Sequence, residues 1–140
     1  MKSQDKRRIL FFIAANQRRT DPLYGKRRAS AMRVLILEDE PLIAMDLEEI
    51  ILKAIQADCV WASSLREGLQ LIADGVDFAL LDFDLGGDNS LPVARQLAAL
   101  NVPFCFVSGS LSDVPRSFSR VPKIAKPYRS ADIVRALAGA

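Results

Sequence analysis

From Met32 onward the chain alternates between two kinds of hydrophobic pattern. Short continuous apolar runs, "RVLIL" (33–37), "CVWAS" (59–63), "FALLD" (78–82) and "PFCFVS" (103–108), read as strands buried on both faces, with "VPKIA" (121–125) as a weaker fifth. Between them, apolar residues recur at helical spacing. After Pro41, which suits a first helical turn, Ile43, Leu47, Ile50 and Ala54 share one face, while Asp46, Glu48, Glu49 and Lys53 lie off it. Ser64 and Glu67 have the spacing of a capping box, ahead of a helix that carries Leu65, Leu69 and Ile72 and ends at Gly75. Residues 91–100 and 131–138 complete the set of predicted helices.

Strands that alternate with helices imply parallel pairing, because parallel neighbours need a crossover connection. The expected fold is therefore a doubly wound α/β domain, a five-stranded parallel sheet with helices on both faces. "GSLSDVPRSFSR" (109–120) interrupts the rhythm: Pro115 and its serines leave room for only a poor fourth helix, so this segment is expected to be irregular or mobile. Residues 1–31 show no sustained period and are expected to form a loosely ordered extension, with the folded domain spanning 32–140.

At 140 residues and 50% hydrophobic composition, the chain suffices for one domain with a real core. The net charge of +2 conceals a split, since residues 1–31 hold nine Lys/Arg against two Asp/Glu and leave ten bases against fifteen acids in the rest. Paired arginines such as Arg7–Arg8, Arg18–Arg19 and Arg27–Arg28 would suit nucleic acid or acidic lipid, but no aromatic residues are interleaved within the pairs. "RRILFFIAA" is too short to span a bilayer and marginal as a secretory signal, so a cytoplasmic location is expected. Cys59 and Cys105 each lie in an apolar run, as buried thiols of a reducing compartment do.

Functional groups of open α/β sheets gather beyond the carboxyl ends of the strands. There the sequence places Glu38, Asp39 and Glu40 after the first strand, Asp82 and Asp84 after the third, Ser108 after the fourth and Lys126 after the fifth. Two carboxylates about 4 Å apart repel by roughly 4 kcal/mol at an effective dielectric near 20, so such a cluster invites a proton or a divalent cation. Oxygen-only ligands favour a hard ion such as Mg²⁺, which keeps positions open for phosphate oxygens. A lysine and a hydroxyl on the same edge would stabilise the charge of a transferring phosphoryl group, with a carboxylate as nucleophile. Glu40 and Asp88 read as helix N-terminal charges, and Trp61, Phe104 and Phe106 as core. The chain has no histidine, which excludes a resident phosphohistidine.

"LILEDE", "LLDFDLGG", "FVSG" and "KPY", in this order and spacing, together resemble the receiver domain of two-component response regulators over residues 32–140. The resemblance implies a flavodoxin-like strand order 2-1-3-4-5 and assigns Asp82 as acceptor of a phosphoryl group from a histidine kinase or phosphotransfer protein. It further implies that Glu38 and Asp39 hold Mg²⁺ with Asp82 and the main chain of Asp84, that Ser108 is the switch hydroxyl, and that Lys126 pairs with the phosphorylated aspartate. Pro127 is a position where the family commonly has a cis bond.

Three departures from the family pattern stand out. Gly86 occupies a position where receivers usually carry Pro, Asp84 adds an acid beside the acceptor, and Lys123 stands where an aromatic switch residue is usual. "PFCFVSG" partly resembles the stand-alone FATGUY subgroup, which lacks that aromatic as well. With 14 residues after Lys126, no DNA-binding output domain and no membrane span are expected, so output would pass to a protein target. No turnover enzyme is expected on this reading. Two alternatives are a pseudo-receiver scaffold that never carries phosphate and a haloacid-dehalogenase-like phosphatase built on Asp82-x-Asp84. The latter family places that motif on its first strand, ahead of any other acid pair.

Overall fold

The computed structural model describes residues 3–20 and 31–140, and of residues 18–20 the backbone alone. Its elements are α1 (Ser3–Thr20), β1 (Met32–Leu37), α2 (Pro41–Ala54), β2 (Ala57–Ala62), α3 (Leu65–Ala73), β3 (Phe78–Leu81), α4 (Leu91–Ala99), β4 (Phe104–Ser108), β5 (Lys123–Ala125) and α5 (Ser130–Ala138). The strands form one parallel sheet in the order β2-β1-β3-β4-β5, as expected for a flavodoxin-like fold. Every residue of β3 and β4 is buried, which explains why their sequences are continuous apolar runs rather than alternating ones.

Alternation along the strands sorts the core into two layers. Leu35, Leu37, Val60, Leu81, Phe104 and Phe106 face α3 and α4, whereas Val34, Ile36, Cys59, Trp61, Leu80 and Val107 face α2 and α5. In α2 the inward face is centred on Ala44, Leu47 and Ile51, with Ile43 and Ile50 at its flank and Ala54 exposed, a rotation from the expected face. The Ser64 hydroxyl accepts the Glu67 N–H at 3.2 Å and the Glu67 carboxylate turns back toward Ser63 and Ser64, so α3 begins where its capping residues predict. Gly75, at φ +90°, closes that helix in a conformation that a β-carbon would strain.

Segment 109–120 holds two single 3₁₀ turns, Leu111–Asp113 and Arg116–Phe118, in place of a full helix. Phe118 is the apolar residue this segment inserts, meeting Phe104 and Phe106 edge-on with ring centroids 6.1 and 6.0 Å apart. Lys123 fastens the segment by donating to the carbonyls of Phe118 (2.6 Å) and Val121 (2.8 Å). Cys59 and Cys105 are both buried and form no disulfide.

The amino-terminal residues depart from expectation. Ser3–Thr20 is an 18-residue helix packed against α2 and β2, not a loose arm, whereas residues 21–30 lie outside the described residues. Phe12 and Ile13 join the core layer beneath it, and the Phe12 ring lies 5.1 Å from that of Trp61. The helix sits on β2, the edge strand, where outward N–H and C=O groups have no neighbouring strand among the described residues. Asn16 takes both roles at one rung: its side-chain NH₂ donates to the Trp61 carbonyl and its oxygen accepts the Trp61 N–H, each at 2.8 Å.

Candidate functional site

Backbone ladders carry the strand ends to one point. The Glu38 N–H donates to the Ala62 carbonyl at 3.0 Å, Asp82 N–H to Leu37 at 2.9 Å, and Lys126 N–H to Ser108 at 3.1 Å. Each candidate side chain therefore leaves the sheet at the same edge. The Lys126 ammonium reaches Glu38 Oε2 at 2.8 Å and Asp82 Oδ2 at 2.9 Å, joining the ends of β1, β3 and β5.

Glu38, Asp39 and Asp82 each offer a carboxylate oxygen, all within 4.8 Å of one another; the first and third residues are buried and Asp39 is exposed. The Glu38 side chain is only 1% exposed. Burial, countered by the Lys126 hydrogen bond and reinforced by the charge of Asp82, pushes its carboxyl from 4.5 up to about 7. Burial alone would lower Lys126, but its hydrogen bonds to Glu38 and Asp82 prevail and hold it above its usual range. Three carboxylates thus face one ammonium, a charge balance that a divalent cation would complete, and the all-oxygen donor set suits a hard ion.

The remaining candidates take separate places. Asp84 is exposed; its backbone N–H donates to Asp82 Oδ1 at 3.3 Å, while its own carboxylate lies outside the three-acid cluster and accepts the Gly86 N–H at 3.2 Å. Ser108 is buried at the end of β4, and its Oγ accepts the Ser110 N–H at 3.1 Å, which leaves its own O–H to donate. Gly86 has φ +67°, outside the range of a proline ring, and a β-carbon there would stand 3.4 Å from Asp39 Oδ2. The Lys126–Pro127 bond is cis.

No family model and no curated protein sequence matches the chain. Among solved structures it is similar to SdrG from Sphingomonas melonis Fr1, at 37% identity and TM-score 0.70, over 79% of this chain and 97% of that one. A BeF3-activated conformation of SdrG, attributed to Pseudomonas melonis Fr1, matches at 40% identity and TM-score 0.62, over 78% of this chain and 96% of that one. The CheY-like response regulator receiver domain from Methylobacillus flagellatus shares the fold at 23% identity and TM-score 0.69, over 79% and 98% of the two chains. The chain belongs to the response regulator receiver family. It also resembles the response regulator PhyR from Brucella abortus at 27% identity and TM-score 0.63, covering 79% of this receiver and 47% of PhyR.

Two features of this receiver's site escape a reading of its motifs. Lys123, in the position usual for an aromatic, is committed to the carbonyls of Phe118 and Val121 and holds the 3₁₀ segment against the sheet. Trp61 is a core residue, but its indole N–H also donates to the Glu38 carbonyl at 2.7 Å. A single tryptophan at the carboxyl end of a strand beside the acid pair was the available signal. Among the described residues no helix is long and apolar enough to cross a membrane.

Proposed function

We propose that this receiver accepts a phosphoryl group on Asp82 from a histidine kinase or histidine phosphotransfer protein and signals by contact with a downstream protein. The observation that carries the reading is the Lys126 bridge to Glu38 and Asp82 within the three-acid cluster. On this reading Glu38, Asp39 and Asp82, with the main chain near Asp84, hold Mg²⁺, which supplies positive charge to the phosphoryl oxygens during transfer. An Asp82 carboxylate oxygen attacks phosphorus, the phosphorus–nitrogen bond of the donor breaks, and its electron pair returns to the donor imidazole. Lys126 balances the charge that gathers on the phosphoryl oxygens, and the Ser108 O–H donates to one of them.

The acceptor is consumed in one transfer, so the protein is a phosphorylated signalling switch rather than a turnover enzyme. The likeness to SdrG, including its BeF3-activated form, supports the receiver reading, as does the partial FATGUY pattern at 103–109. A cytoplasmic location accords with two buried thiols that form no disulfide. No observation favours a dehalogenase-type phosphatase, since Asp82-x-Asp84 follows the third strand and the acid pair follows the first.

The test is intact mass after incubation with acetyl phosphate, with and without Mg²⁺, for the wild type and Asp82→Ala. A Mg²⁺-dependent gain of about 80 Da in the wild type alone is expected. A labelled Asp82→Ala protein would move the acceptor elsewhere. A wild type labelled neither by acetyl phosphate nor by a histidine kinase would favour the scaffold reading.

A further inference from the structure

Three contacts run in series from the amino-terminal helix to the acid pocket. The Asn16 amide engages both the N–H and the C=O of Trp61 at 2.8 Å and is buried to 8% exposure. The indole of Trp61, buried and backed by Phe12, donates to the Glu38 carbonyl at 2.7 Å. The side chain of Glu38 is in turn held by the Glu40 N–H at 3.1 Å and by Lys126 at 2.8 Å. The Glu38 carbonyl belongs to the peptide that leads into Asp39, so the indole sets the plane of the unit joining two of the three clustered carboxylates. β2 is an edge strand, and nothing in the sheet itself holds the outer side of Trp61. Asn16 does so from α1.

We propose that Asn16 and Trp61 are positioning residues for the acid pocket: α1 clamps Trp61 through Asn16, and the Trp61 N–H fixes the Glu38–Asp39 peptide in the orientation that binds a divalent cation. The inference rests on the reading of Glu38, Asp39 and Asp82 as a Mg²⁺ site. Neither residue belongs to the three-acid cluster. Outer-shell groups of this kind tune metal affinity by orienting the ligands. An α1 lifted from β2 would relax the pocket without altering any ligand, so whatever binds that helix would also set the strength of Mg²⁺ binding.

The experiment is a calorimetric Mg²⁺ titration of the full chain in four forms: wild type, Trp61→Phe, Asn16→Ala and Leu137→Ala. Trp61→Phe keeps a ring against Phe12 while removing the N–H donor and some ring volume, and its thermal melt should show the fold retained. It should weaken Mg²⁺ about tenfold, the lower end of outer-shell effects, and Asn16→Ala should weaken it by less, because Asn16 acts through Trp61. Leu137→Ala truncates a buried residue of α5 in the same core layer as Trp61 but outside the hydrogen bonds of the clamp; it should lower thermal stability and leave the affinity unchanged. Exchange of the Asp39 amide with solvent should quicken in Trp61→Phe and Asn16→Ala only. Wild-type affinity in both clamp variants, or an equal loss in Leu137→Ala, overturns the positioning role. A wild type that binds no Mg²⁺ overturns the proposed function itself and removes the premise of the clamp, an outcome visible in the first titration.

Discussion

Replacing Lys126 by Met should destabilise the metal-free protein by an amount that depends on pH. The lysine is 19% exposed and serves two carboxylates whose side chains are 1% and 9% exposed. Near pH 5.5 Glu38, with its carboxyl at about 7, carries a proton in both the wild type and the variant. The loss is then chiefly the charge-assisted hydrogen bond to Asp82, about 2 kcal/mol. Near pH 8 the wild-type Glu38 is ionised against the ammonium, whereas the variant must retain the proton one pH unit above 7, which adds about 1.4 kcal/mol. The sum of about 3.4 kcal/mol falls in the range found when one partner of a buried ion pair is removed. Urea unfolding followed by circular dichroism, with chelator present, would measure both values. Millimolar Mg²⁺ should then raise the midpoint of Lys126→Met more than that of the wild type, because a cation replaces the missing charge. Equal losses at the two pH values would refute the role assigned to Glu38, and a loss below about 0.5 kcal/mol at both would refute the neutralising role of Lys126.

Three further outcomes are expected. Because the folded protein holds the Glu38 proton more tightly than the unfolded chain does, the stability Glu38 contributes is complete below pH 4.5. It is lost as pH rises to about 7, so metal-free wild type should lose about 3 kcal/mol relative to Glu38→Gln across that window, read by urea unfolding. Phe118→Ala should cost about 3 kcal/mol by emptying the edge-on contacts with Phe104 and Phe106, and should speed amide exchange through residues 109–122. Burial pushes the Cys105 thiol up to about 12, so a thiol reagent at neutral pH should label it only as fast as the protein unfolds; rapid labelling of the native state would contradict its burial.

Much of this molecule is legible in its hydrophobic pattern because parallel strands are buried on both faces. Up to their last residues, Asp82 and Ser108, "FALLD" and "PFCFVS" contain no polar position to confuse the period, and the strands they predict carry those two residues to the carboxyl end of the sheet. The convergence of Glu38, Asp82 and Lys126 follows from strand order, which four spaced motifs indicated jointly. The amino-terminal helix was harder to see. Ile9, Phe12 and Ile13 do have helical spacing, but Leu10 and Phe11, both exposed, fill the gaps and blur the face. The remaining anchor is Asn16, an amide doing the work of a neighbouring strand, and hydrophobic periodicity is blind to it. In α2 the inward face passes through Ala44, a small residue that contributes little to an apolar count yet is fully buried.

The chain contains one tryptophan, and it stands where the acid pair, the edge strand and the amino-terminal helix meet. Indole emission depends on the dipoles and charges around the ring, and here these include a carbonyl 2.7 Å from the indole nitrogen and, through it, the peptide leading to Asp39. The protein therefore carries its own optical reporter. Occupancy of the pocket, or release of the helix that covers β2, should change the colour and intensity of its fluorescence with no label attached.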